Sequence, residues 1–153
     1  MAIYLVQHGL SLSKDVDPER RLSEEGKGAV ERIAQVAQGY NVPVQGIVHS
    51  GKKRALQTAE IFERFLSPQD GVSQAAGIAP LDDVGSFSEF LNPGSGLMYV
   101  GHLPFMEKLT GLLTCGDENK SVFSFQNGGI ICLDKEPDAV NWQIKWALMP
   151  NIG

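Results

Sequence analysis

The sequence predicts an α/β fold, a three-layer α/β/α sandwich built on a mixed, mainly parallel central sheet. Two observations point there. Short apolar runs that end beside His or Gly alternate with segments of helical periodicity, the pattern of strand–helix units in a parallel sheet. The last third carries short β-prone runs separated by Asn127-Gly128 and by Glu136-Pro137-Asp138, the pattern of an antiparallel meander.

Ile3 to Val6 is a continuous apolar run, expected of a central strand buried on both faces, and it stops at Gln7-His8-Gly9. Residues 10 to 22 are mostly polar. Ser23 then reads as the N-cap of a helix to Gln38, with Ala29, Val30, Ile33, Val36 and Ala37 at helical spacing. Gly39 to Pro43 ends it, and Val44 to His49 reads as a second strand. Lys53 to Leu66 repeats the helical period through Ala55, Leu56, Ala59, Phe62, Phe65 and Leu66. Pro68 to Gly77 reads as a loop, Pro80 to Leu91 as a helix and Gly96 to Val100 as a third apolar strand, followed by Gly101-His102. Pro104 opens a helix to Thr114, where its missing N–H costs nothing. Ser121 to Gln126, Gly129 to Asp134 and Asn141 to Leu148 are the strands of the meander.

With 153 residues, 42% hydrophobic and 20% charged, the chain reads as a single domain over 1–153. A chain of this length buries about 68% of its unfolded surface without staples or metals. The net charge of −5 disfavours nucleic acid and anionic membranes as partners, while permitting a small cationic pocket. The N-terminus has no basic region before its short apolar run, so it reads as a strand rather than a leader, and no run is long enough to span a membrane. Cys115 and Cys132 form no CxxC pair, which suits a reducing compartment; cytoplasm is the expected location, and both read as buried small hydrophobes. Trp142 and Trp146, four apart in one strand, are expected on one face.

Ligands of open α/β sheets sit outside the carboxyl ends of the strands, and the three histidines, His8, His49 and His102, all fall at such ends. Neutral imidazole accepts a phosphoryl group near pH 7, which makes His8 a candidate nucleophile. A phosphoryl group in flight needs cations and amide donors converging on it, and Arg54 and His102 are the evident suppliers. Lys52, Lys53 and Arg54 crowd a helix N-terminus, where cations oppose the macrodipole unless an anion binds there. Bland readings stand beside these: His8 as a hydrogen-bonded turn residue, His102 as a helix cap, His49 as a pocket-edge or packing residue. A metal site from the three histidines is not expected, since no carboxylate or thiolate lies at ligand spacing, and no cofactor is implied.

Four segments together resemble the histidine phosphatase superfamily (phosphoglycerate mutase-like), most closely its short SixA-type phosphohistidine phosphatases. They are Gln7-His8-Gly9, Arg20-Arg21-Leu22-Ser23-Glu24-Glu25-Gly26, Ser50-Gly51-Lys52-Lys53-Arg54-Ala55-Leu56-Gln57-Thr58-Ala59 and Gly101-His102-Leu103-Pro104, in family order over nearly the full length. The resemblance implies a hydrolase in which His8 is phosphorylated, with Arg54 and His102 also catalytic. It places Gln7, Gly9, Arg20, Arg54 and His102 around the phosphate. Phosphohistidine on a histidine-phosphotransfer protein is the implied substrate, because larger members have insertions that roof the pocket and this chain has little length for one. A role in signal transduction follows from that substrate.

One departure stands out. The family opens with Arg-His-Gly, whereas Gln7 here is a neutral amide. Charge-assisted hydrogen bonds are about twice as strong as neutral ones, so transition-state stabilisation is expected to fall by about 2–4 kcal/mol and the rate about 10²-fold. Lys14, Arg21, Lys52 and Lys53 are nearby cations that could compensate. Two rival functions follow: a binder of phosphate or phosphohistidine that has lost turnover, and a small-molecule phosphomonoesterase or mutase, which would need a carboxylate near the leaving oxygen. Asp82, Asp83 and Glu89 are carboxylates that nothing in their spacing directs at the pocket.

Overall fold

The computed structural model describes residues 2–152. Its centre is a six-stranded sheet of β1 (Ile3–Gln7), β2 (Gly46–His49), β3 (Val72–Gln74), β4 (Leu97–Gly101), β5 (Ile130–Asp134) and β6 (Gln143–Leu148). The strand order is β3-β2-β4-β1-β5-β6. β1, β2, β3 and β4 pair in parallel, and β5 and β6 join antiparallel beyond β1, so the sheet is mixed as the composition of its segments suggests.

Two helices, α1 (Glu24–Gly39) and α2 (Lys53–Leu66), cover one face; α3 (Val84–Ser88) and α4 (Phe105–Cys115) cover the other. Strand alternation divides the core accordingly. Tyr4, Val6, Met98 and Val100 pack with Val30, Ile33, Ala59 and Phe62, while Ile3, Leu5, Tyr99 and Ile131 pack with Phe105, Met106 and Leu109. Burial of the Val, Leu, Ile, Phe and Met side chains among these, each worth about 1.5–3 kcal/mol, drives the three layers together.

The helix starts reflect their sequence. Ser23 caps α1, its Oγ accepting from the Gly26 N–H at 3.0 Å, with Glu24 and Glu25 favourably placed in the first turn. Gly26 must be glycine, because a Cβ there would lie 2.1 Å from the Leu10 carbonyl oxygen. That close approach presses the start of α1 against the loop that follows His8. α2 has neither a side-chain cap nor an acidic residue in its first turn.

Several expectations are corrected. Residues 68–77 contain β3, which is short enough to lack a readable pattern. The helix expected from Pro80 to Leu91 is the five-residue α3, because Asp82 accepts the Ala79 N–H in a turn and Asp83 caps a helix that starts only at Val84. Residues 121–126 form no strand; Phe123 and Phe125 pack edge to face at 5.9 Å over the α4 side of the core. Trp142 and Trp146 lie on opposite faces, since the pairing of β5 with β6 shifts between Cys132 and Leu133 and one extra residue, Lys145, reverses the alternation. Cys132 is buried but Cys115 is exposed at the end of α4.

Candidate active site

β1 and β4 are neighbours whose outgoing chains part company. The chain leaving β1 enters α1 on one face, and the chain leaving β4 enters α4 on the other. Such a switch point opens a crevice at the strand ends. His8 and His102 stand on its two sides with ring centroids 5.0 Å apart.

His8 is held by its backbone. Its N–H donates to the Gly101 carbonyl at 2.9 Å, and Asn127 Nδ2 donates to its carbonyl at 3.0 Å. The ring is oriented too: Nδ1 lies 2.7 Å from the Gly9 carbonyl oxygen, which can only accept, so Nδ1 carries the hydrogen. Nε2 is left with its lone pair, which accepts from Arg54 Nε at 3.3 Å. Burial, opposed by the Gly9 bond and reinforced by Arg54 and Arg20, lowers its pKa to about 4. The resting imidazole is therefore neutral, with its bare nitrogen turned towards a guanidinium.

His102 is buried, and its Nε2 lies 2.6 Å from Ser50 Oγ. Its Nδ1 is buried with no partner among the described residues, which favours the tautomer with the hydrogen on Nε2, since an unpaired lone pair costs less than an orphaned N–H. Burial and then the neighbouring His8, Arg54, Lys52 and Arg20 lower its pKa to about 3. The groups whose charge bears on these two rings are all cations or the other ring, with no carboxylate among them. In a chain of net charge −5 this corner is locally positive.

Arg54 stands in the first turn of α2, and burial followed by the charge of Arg20 lowers its pKa. Arg20 comes from the polar loop, where it adopts a left-handed φ of 52°. Asp17 fixes that loop by accepting the Arg21 N–H at 2.9 Å and its Nε at 3.0 Å, and Arg20 itself reaches Ser11 Oγ at 3.4 Å. Gln57 Oε1 accepts the Leu22 N–H at 2.8 Å and so ties the loop to α2. Five of the residues singled out from sequence, Gln7, His8, Arg20, Arg54 and His102, thus belong to one corner of the fold.

The sixth, Gly9, has its N–H committed to Thr58 Oγ1 at 2.9 Å, and the Thr58 hydroxyl donates in turn to the Arg54 carbonyl at 2.8 Å. Its amide serves the scaffold rather than a free anion. Gln7 is half-buried, with Oε1 unpartnered among the described residues. His102 does not cap α4 with its side chain; its carbonyl accepts the Met106 N–H. His49 accepts the Gly51 N–H at Nδ1, 3.0 Å away, and borders a groove of about 790 Å³ shared with Gln57, Glu60 and Gln74. Asp82 and Asp83 are occupied in the turns before α3.

Three supporting residues escaped the sequence reading. Ser50 and Thr58 stood in the third of the four segments without a role of their own, and Asn127 only in a turn; their bonds to His102, Gly9 and His8 arise only in the folded chain.

No family model matches the chain, and no curated protein matches it. Solved structures do. The protein histidine phosphatase SixA, determined with tungstate, superimposes with a TM-score of 0.84 at 22% identity, covering 98% of this chain and 97% of that one. A chain from Agrobacterium tumefaciens assigned as the phosphohistidine phosphatase SixA gives 0.75 at 21% identity, with 97% of each chain covered. A mycobacterial glucosyl-3-phosphoglycerate phosphatase, in complex with VO3, gives 0.70 at 14%, covering 95% and 97%. Over nearly its whole length, this chain has the fold of these solved phosphatases, SixA among them.

Proposed function

We propose that the chain is a phosphohistidine phosphatase working through a phosphorylated His8. The observation that carries this reading is the His8 ring: Nδ1 tied to Gly9, Nε2 bare and neutral, and Arg54 at 3.3 Å from it. His8 Nε2 attacks phosphorus as the P–N bond of the substrate breaks. The departing electron pair settles on the leaving imidazole, which is neutral when its other nitrogen holds a proton. Arg54, Arg20, His102 and Gln7 hold the phosphoryl oxygens, and Arg54 exchanges its bond to Nε2 for one to oxygen. Water then attacks the phospho-enzyme, releasing phosphate and restoring His8.

The choice of a phosphoramidate over a phosphomonoester rests on geometry: among the described residues no carboxylate makes a hydrogen bond or ion pair to His8, His102, Arg20 or Arg54. An alkoxide needs a general acid to leave; a protonated phosphoimidazole does not. A protein bearing phosphohistidine is the partner that fits, and a cytoplasmic location suits that partner. Two of the solved fold relatives were determined with tungstate and with VO3, oxyanions that imitate phosphate, which supports an anion at this corner.

Intact mass after brief mixing with free phosphohistidine, quenched without acid, tests the proposal alongside phosphate release. An adduct of one phosphoryl group that disappears in His8→Ala and turns over in the unaltered chain is expected. Tungstate binding with no adduct would instead identify a binder without turnover, and an adduct that survives His8→Ala would overturn the assignment of the nucleophile.

A further inference from the structure

We propose that Lys52 is the third cation of the phosphoryl site, supplying the charge that Gln7 does not. The inference rests on the anion-binding reading above and goes beyond it by choosing one of several lysines and arginines near the site.

A phosphoryl dianion in a buried corner needs compensating charge. Two neutral imidazoles and the amide of Gln7 bring none, which leaves Arg54 and Arg20. Four more cations lie close to the site residues in sequence. Arg21 is spent, its Nε 3.0 Å from Asp17 and 3.8 Å from Glu19. Lys14, Lys52 and Lys53 are all exposed and without a side-chain hydrogen bond or ion pair among the described residues, but the charges of Lys14 and Lys53 do not bear on either ring.

Lys52 is placed differently. It is the N-cap of α2, two residues before Arg54, and its side chain makes no cap bond that would hold it elsewhere. Its N–H points at Ser50 Oγ at 3.4 Å, and that same oxygen lies 2.6 Å from His102 Nε2. One hydroxyl therefore links the Lys52 backbone to the His102 ring, with Gly51 turning the chain between them at φ 95°. The charge of Lys52 is among those that hold His102 neutral. An ammonium on a flexible stem can swing onto an arriving oxyanion and stay in water otherwise. Cations at a helix start without acidic partners are also what a bound anion relieves.

The test is tungstate affinity by calorimetry at fixed ionic strength. Lys52→Gln is expected to weaken binding about tenfold, Lys52→Arg to retain most of it, and the control Lys53→Gln to stay within about twofold. In the Gln7→Arg background, Lys52→Gln should cost clearly less than in the unaltered chain, because the two cations answer the same charge. A Lys52→Gln affinity equal to that of Lys53→Gln, or an identical cost in both backgrounds, overturns the assignment while leaving the phosphatase reading intact. No tungstate binding by the unaltered, folded chain overturns both.

Discussion

Asn127 and His8 stand 119 positions apart and meet through a single bond, Asn127 Nδ2 donating to the His8 carbonyl at 3.0 Å. The next residue, Gly128, donates its N–H to the Gln7 carbonyl at 2.8 Å. The turn before β5 thereby fixes the segment that aims the candidate nucleophile. Asn127→Ala should lower kcat for phosphohistidine hydrolysis about tenfold with little change in KM, at a stability cost of about 1–2 kcal/mol. Steady-state kinetics decide it: a KM effect alone would mean that the bond serves substrate binding.

The pH dependence follows from the two depressed histidines. Folded His8 has its pKa lowered from 6.5 to about 4 and His102 to about 3, so between about pH 4 and 6.5 the unfolded chain binds more protons than the folded one. Stability should therefore fall as pH drops through that window, by an order of 3 kcal/mol for His8, and level off below its folded pKa. Chemical denaturation from pH 7 to 4 measures this, and His8→Asn should flatten the slope. A bound oxyanion favours imidazolium, so tungstate should weaken the dependence.

Thr58→Val keeps the shape of a fully buried side chain but removes the oxygen that accepts the Gly9 N–H and donates to Arg54. The orphaned amide should cost about 1–3 kcal/mol. Because the same hydroxyl joins the His8 loop to the turn bearing Arg54, phospho-enzyme formation should slow as well. Thermal melts and rapid-quench mass spectrometry on one preparation separate the two effects.

Gly26→Ala forces a Cβ to within 2.1 Å of the Leu10 oxygen, and neither the helix start nor the loop can yield cheaply. A loss of about 2 kcal/mol or more is expected, although alanine is the better helix former elsewhere. Gly28→Ala, with nothing within 4 Å, should be neutral or stabilising by comparison. Equal melting temperatures for the two would contradict the close approach.

Gln7→Arg adds a guanidinium beside His8 and should raise phosphate release about 10²-fold in Lys52→Gln but far less in the unaltered chain, where Lys52 already answers that charge. Single-turnover phosphate release reads the change directly. An unchanged rate in Lys52→Gln would show that the other cations already suffice.

Much of this architecture was legible in the residues. The apolar runs of β1, β2 and β4 and the periodicity of α1 and α2 are strong local signals, and they place His8, Arg54 and His102 at strand and helix ends without any tertiary information. What stayed hidden depends on distant partners. Residues 121–126 are β-prone yet find no ladder, β3 is too short to show a period, and the shift at Lys145 that parts Trp142 from Trp146 exists only against β5. The bonds of Ser50, Thr58 and Asn127 likewise span 49 to 119 positions, beyond the reach of any local pattern.

The extra residue in β6 has a bearing on how the chain meets other molecules. The outermost strands of the sheet are β3, three residues long, and β6, whose pairing is broken by the bulge at Lys145. A short rim on one side and a twisted, lysine-bearing rim on the other make poor templates for an added strand. Strand addition, and self-association through open backbone with it, is thereby discouraged at both borders of the sheet.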